Sequence, residues 1–396
     1  MMGAREHYGL PRLLQRLGRL GELVTDVWNP LGRRGESLGA QLPLSLRRFL
    51  QRHHDDIPND IVASIPSTLL LDPRFNPLRQ RLGITRLHTA QARWFAKRVA
   101  GRDELHGGCI TFCAAAQEIL ERYRAAGKTA ILDAYDPGEP AARIVARERE
   151  RRPNWECGAR HDHEPLWDRR RHEYALADAI IVNSRWTEKC LIDTGVPAEK
   201  LHVVPLFYEG ATGIVGAPFN PRHAPLRVLW VGHVSLHKGI AYLLEAVSRM
   251  PHGACEIDIV GGVSIAPEIV AKVGDNVHFH GLVSRDEVAR FYRQADVFIL
   301  PTLSDGFAIT QLEAHAHGVP VIVTPRAGDV VVPNETGLIV EPESVEAIEA
   351  ALSWCIDHRE ALASMRSACA ARVADFSLAA VAKRLDSVLS EIETGF

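Results

Sequence analysis

No uninterrupted apolar run in the 396 residues approaches the ~18 needed to cross a bilayer, so no segment is expected to span a membrane. Cysteine offers no pattern either: the seven are scattered without a CxxC pair, which points to a reducing compartment and away from a disulfide framework. Cys109 and Cys113 have the spacing of one helix face and read as buried thiols. A secretory leader is not expected, because Arg5, Arg12, Arg16 and Arg19 are threaded through the apolar positions of the first 20 residues. The turn after residues 257–260, Gly261-Gly262, lacks GxGxxG spacing, so dinucleotide binding has little support. Nor does any second ligand set accompany His53-His54-Asp55-Asp56 or His161-Asp162-His163-Glu164, and both read as polar loops with no metal.

What is present describes a globular α/β chain. A hydrophobic content of 46% with 24% charged residues fits a folded core, and the length accommodates two domains. The net charge of -3 conceals an asymmetry. Residues 1–225 carry 33 Lys and Arg against 27 Asp and Glu, while the remainder carries 13 against 22. A basic first half suits an anionic acceptor or an anionic membrane surface, with solvated arginine-rich faces as the plain alternative.

Along the chain, Leu10, Leu13, Leu14, Leu17 and Leu20 recur at helical spacing with arginines opposite. The helix they predict packs on a sheet or, as a second reading, lies on a membrane surface. A strand is expected at 23–28. Residues 30–107 are rich in Arg, Pro and His, with helices expected at 42–52 and 78–98. Strands follow at 108–112 and 128–133, the second ending in Asp133-Ala134-Tyr135-Asp136-Pro137. Ligands of open α/β sheets gather at the carboxyl ends of strands, so Asp133 and Asp136 are cleft candidates; Asp-Pro turn chemistry explains them equally well. A charged helix at 143–152, a strand at 179–184, a helix at 188–194 and a strand at 201–205 complete the first half. The Gly- and Pro-rich stretch 208–225 reads as a linker.

The second half opens with a strand at 226–231, the turn Gly232-His233-Val234-Ser235-Leu236-His237-Lys238-Gly239, and a helix to about 249. Gly232 permits close backbone approach, and Lys238 sets a cation at the helix start. A strand at 277–283 carries Gly281 near its end, and helices are expected at 341–354 and 378–392. Chemistry concentrates at residues 303–322. There a buried strand ends at Pro301, a loop carries Asp305 and Gly306, and a helix carries Glu313 before Gly318 stops it. Unpaired first-turn amides make such a loop an anion seat, spanning Gly306, Phe307, Ala308 and Ile309, with the Glu313 carboxylate a turn behind.

The run Asp305-Gly306-Phe307, a second acid eight positions on, then Glu313-Ala314-His315-Ala316-His317-Gly318-Val319-Pro320-Val321-Ile322 closely resembles the donor-site signature of family 4 (group 1) glycosyltransferases. The stretches 177–205 and 376–392 also resemble that family. The resemblance covers roughly residues 160–396 well and the earlier part loosely. It implies a GT-B fold: two Rossmann-like domains facing across a cleft, with a C-terminal helix crossing back. The expected division is 1–208 with the returning helix 377–396, a linker at 209–225, and a nucleotide-sugar-binding domain at 226–376.

The implied activity is hexosyl transfer from a UDP-, GDP- or ADP-sugar, with retention of configuration, to an acceptor the sequence leaves unnamed. By the resemblance Lys238 and His233 face the diphosphate, Glu313 the ribose, Asp305 the sugar and the Gly281 turn the nucleobase. His233 stands where the family commonly has Arg, Asp305 where it commonly has Glu, and Asp133 where it often has a His that would activate the acceptor. No cofactor, metal or nucleic-acid partner is expected. A cytoplasmic location is expected, with peripheral contact at the inner membrane face as a second reading. The first strand of such a domain is central to its sheet, yet this chain begins at Met1-Met2-Gly3-Ala4-Arg5, where the family has the loop after that strand. A nucleotide-sugar epimerase and a catalytically degenerate partner protein remain the alternatives.

Overall fold

The computed structural model describes residues 7–38, 49–66, 84–156, 164–210 and 225–395. In chain order its helices are α1 Gly9–Arg16, α2 Gly32–Leu38, α3 Ile84–Ala100, α4 Gln117–Ala125, α5 Glu139–Arg151, α6 Glu164–Leu176, α7 Arg185–Asp193 and α8 Ile240–Arg249. These are followed by α9 Pro267–Val270, α10 Arg285–Gln294, α11 Thr310–Ala316, α12 Val345–Asp357, α13 Arg359–Arg372 and α14 Leu378–Thr394.

The strands of the first half are β1 Leu23–Thr25, β2 Val62–Ser64, β3 Gly108–Phe112, β4 Thr129–Ala134, β5 Ala179–Val182 and β6 Leu201–Val203. β3, β4, β5 and β6 form one parallel sheet in that order. Period-two alternation divides its residues between two cores. Ala130, Leu132 and Ala134 of β4 with Ile180 and Val182 of β5 pack under α3, α4 and α6. Ile131, Ala179 and Ile181 face the other way, onto α1 and α14. The last helix thus returns to the first domain, with Val381, Leu385 and Leu389 buried there.

β1 and β2 stand apart as a parallel pair. No strand among the described residues joins this pair to β3. The two are tied instead at their entries, where Arg102 donates to Glu22 at 2.5 Å and His106 lies 3.2 Å from the same carboxylate. The expected strand at 23–28 stops at Thr25 because the next side chain, Asp26, is buried and committed to other partners. It accepts from the Val27 amide and from Arg52.

The second sheet contains β7 Leu226–Val231, β8 Cys255–Val260, β9 Val277–Gly281, β10 Val297–Leu300, β11 Val321–Val323 and β12 Gly337–Ile339. All pairings are parallel and the order is β12-β11-β10-β7-β8-β9. β10 and β11, buried along their full length, read Val-Phe-Ile-Leu and Val-Ile-Val, as a sheet covered on both faces requires. The strand order reverses between β7 and β10, the switch point at which open doubly wound sheets leave a crevice.

Several boundaries differ from expectation for local reasons. The helix expected at 341–354 runs Val345–Asp357, because the Ser344 hydroxyl accepts from the Ala347 amide and sets the start. The charged helix at 143–152 begins earlier, at Glu139, with Pro140 in its first turn. Cys109 lies in β3 and Cys113 just beyond it, so the two share no helix, and burial pushes the Cys109 thiol up to about 12. The linker stretch falls largely at 211–224, outside the described residues, as do residues 1–6 and the His161-Asp162-His163 cluster.

Candidate functional site

The turns leaving β7 and β10 are drawn together at the switch point by glycine. Residues Leu236–Lys238 make a single 3-10 turn, and Gly239 follows at φ 73°. A Cβ on Gly239 would lie 1.8 Å from the Pro301 carbonyl oxygen, so only glycine allows the loop after β10 to pass here. The two turns then pair. The Leu303 amide and the Thr302 hydroxyl both donate to the His237 carbonyl, at 2.9 and 3.1 Å. The His237 ring meets the Ser304 carbonyl, and the Lys238 ammonium meets the Asp305 carboxylate. Burial, then the Lys238 cation, lowers the His237 pKa, so the ring is neutral at pH 7. The ion pair is part-sheltered, with side chains 23% and 17% exposed.

Behind β8 the same device recurs. A Cβ on Gly261 would fall 1.6 Å from the Gly232 carbonyl oxygen, and the Gly261 amide donates to the Gly281 carbonyl at 2.8 Å. The Gly232, Gly261 and Gly281 turns therefore form one contiguous rim. His233, on that rim, is exposed and sits 2.7 Å from the Ser264 hydroxyl.

Glu313 lies in α11, a helix of seven residues. Its carboxylate accepts from the Tyr292 hydroxyl at 2.9 Å. Burial, then the Glu313 charge, pushes the Tyr292 phenol far up, and the same two causes in the same order raise Tyr208 to about 12. Tyr208 belongs to the segment after β6, and its amide donates to the Phe376 carbonyl at 2.8 Å.

The expected anion seat is smaller than its four residues suggested. The Asp305 and Ala308 amides are taken by the Arg326 and Ala327 carbonyls, at 2.7 and 2.9 Å. The Phe307 ring packs on Phe376 at 5.8 Å, in a small core with Leu312 and Val330. The backbone at Gly306, Phe307 and Ile309 is what remains of the seat.

From the first domain, the Tyr135 carbonyl and Asn183 approach Gly306 so closely that a Cβ there would lie 2.8 Å from each. Asp133 lies inside β4, in register between Phe112 and Ile181, while the loop's neighbour is Tyr135, just past the end of that strand. Asp136 is gripped by the buried Arg170 guanidinium at 2.6 and 3.0 Å. The Trp186 indole donates to the Ser304 hydroxyl at 2.8 Å, with the Arg326 guanidinium 5.2 Å from its ring. Asp329 accepts from the Arg185 amide at the start of α7. Tyr208, Tyr292, Trp186 and Arg326 carry no spacing signal of their own; only the fold brings them to the loop.

This switch-point crevice between two parallel-sheet domains, closed by a returning helix, defines a GT-B protein. Residues 225–358, within the second domain, match the family model described as Glycosyl transferases group 1. The MMP alpha-(1->4)-mannosyltransferase of Mycolicibacterium hassiacum is 30% identical over 197 residues, 46% of this chain and 46% of that one. The amylovoran biosynthesis glycosyltransferase AmsK of Erwinia amylovora is 27% identical over 199 residues, 45% of this chain and 47% of its own. The chain thus spans about half the length of the curated relatives it matches. Among solved structures, sucrose-phosphate synthase of Thermosynechococcus elongatus aligns with TM-score 0.67 at 19% identity, covering 98% of this chain and 92% of that one. Anabaena HepE in complex with UDP and glucose aligns with TM-score 0.59 at 16% identity, covering 97% and 95%. At these identities the structural likeness establishes the fold.

Proposed function

We propose that the chain transfers a hexosyl unit from a nucleotide-diphosphate sugar to an acceptor hydroxyl, with retention of configuration. The observation that carries this reading is the Lys238–Asp305 pair at the switch point, with Glu313 one helical turn beyond. Breaking the bond to the leaving diphosphate builds negative charge on it and oxocarbenium character on the sugar. Lys238 exchanges its carboxylate partner for the incoming diphosphate, and the exchange frees Asp305 to accept from sugar hydroxyls. The Gly306, Phe307 and Ile309 amides add donors to the phosphate. Glu313, held by Tyr292, accepts from the ribose hydroxyls. His233, on the glycine rim, donates one hydrogen bond. The Gly232–Gly261–Gly281 rim borders the nucleobase. The HepE structures with UDP and with UDP-glucose support UDP as the first nucleotide to try.

The test is release of nucleoside diphosphate from UDP-, GDP- and ADP-hexoses by the purified protein, with Lys238→Ala and Asp305→Asn beside it. Turnover of one donor, reduced at least a hundredfold by both substitutions, is the expected result. Turnover unchanged in both variants overturns the assignment.

A further inference from the structure

Outside the donor crevice, a groove of about 580 Å³ runs between α5 and α7, within the usual range for small-molecule sites. Ile144, Trp186 and Cys190 supply its apolar and aromatic lining. Arg143, Arg147, Glu150 and Asp193 supply a charged rim whose signs balance. Arg147 and Glu150 have no ion-pair partner among the described residues, so one guanidinium and one carboxylate are available to a ligand. One lining residue links the groove to the Asp305 loop. Trp186 lines it and donates to Ser304, whose neighbour Asp305 holds Lys238. Ile144 is at the same time part of the second domain's core, so the groove follows the crease between the domains.

We propose that this groove receives the acceptor, and that the acceptor presents a neutral sugar ring to it. This rests on the glycosyl-transfer reading above and deepens it. An indole beside an aliphatic surface suits the apolar face of a pyranose, and a rim of both signs suits its hydroxyls, which donate and accept. A purely anionic ligand would meet Glu150 and Asp193 as well as the two arginines. The basic surplus of the first half is not gathered here.

The test is saturation-transfer NMR of the full-length protein with UDP, using methyl α-glucopyranoside and methyl α-mannopyranoside as probes. Ala146, exposed on α5 and lining the groove, is replaced by Trp to fill it, and Arg147→Ala is a smaller second variant that serves if Ala146→Trp does not fold. At least one glycoside is expected to bind the wild type. Its affinity is expected to fall tenfold or more in Ala146→Trp and severalfold in Arg147→Ala. Binding of neither glycoside to the wild type, or binding unchanged by the substitutions, overturns the proposal. Melting curves with UDP, GDP and ADP on the wild-type samples separate the two readings. A nucleotide response without glycoside binding removes the groove alone, and no nucleotide response removes the transfer reading whatever the glycosides do.

Discussion

Lys238 is the residue on which the proposed transfer depends most. An ammonium already paired with Asp305 is a neutral unit, so in the proposed reaction the diphosphate has to out-compete that carboxylate. Tyr292 acts at one remove, fixing the Glu313 carboxylate through a hydrogen bond to a charged acceptor, a type that contributes about 1.5–3 kcal/mol. Tyr292→Phe is therefore predicted to raise the donor KM about tenfold while kcat changes little, the pattern of lost uniform binding. Steady-state kinetics check this, and a fall in kcat at constant KM speaks against it. His315 gives a pH prediction. It is wholly buried, and burial, followed by the nearby Arg372 cation, lowers its pKa to about 3. Its unfolded pKa is about 6.5, so its contribution is fully present above that pH and is lost as pH falls toward 3. By pH 5 roughly 2 kcal/mol is gone. Urea midpoints should fall between pH 7 and pH 5 and fall less in His315→Gln; equal slopes in the two proteins contradict the account.

At the scale of elements, the site is two turns and one short helix, and part of it is legible in the chain. The Asp305-Gly306-Phe307 loop with its helix and strand, and the Lys238-Gly239 turn, each lie within about twenty consecutive residues, so local spacing alone exposes them. Their pairing is not local, because β7 and β10 are separated in sequence by two intervening strands and become neighbours only where the sheet order reverses. The amides of Asp305 and Ala308 could not be discounted from sequence either, since their partners at 326 and 327 belong to the loop after β11. Tyr208 and Trp186 look like ordinary apolar residues of a linker and a helix until the other domain is placed against them. Gly239 tests whether the pairing of turns matters. Gly239→Ala adds a Cβ that collides with the Pro301 carbonyl at a left-handed φ, which by itself costs about 1–2 kcal/mol. The variant should lose more than ~2 kcal/mol of stability and its donor response together. Wild-type denaturation midpoints in this variant would show that the turns do not need to touch.

At the scale of the molecule, the returning helix and the α5 contact are among the features that join the halves. Glu148 is buried between them, accepting from the Tyr242 hydroxyl at 2.8 Å and from Arg152 at 2.6 Å. α14 lays Leu385, fully buried, onto the first sheet. Leu385→Ala should cost about 2–5 kcal/mol by cavity formation, read as a lowered denaturation midpoint; a loss below ~1 kcal/mol would mean that α14 is not part of that core. The strands of the first sheet were readable as apolar runs, and so was the helical period of α1. The separation of β1 and β2 from the other four strands was not, because strand order is set by pairing across distant segments. No helix among the described residues is long and apolar enough to cross a membrane.

The central claim, that the second domain grips a nucleotide-diphosphate sugar through Lys238 and Glu313, is tested most directly by thermal shift. A ligand that binds only the folded state raises the melting temperature, by an amount that follows its concentration over Kd. One of UDP-, GDP- or ADP-hexose should raise it in the wild type, and Lys238→Ala and Glu313→Ala should each abolish most of the rise. A rise of equal size in both variants would contradict the account.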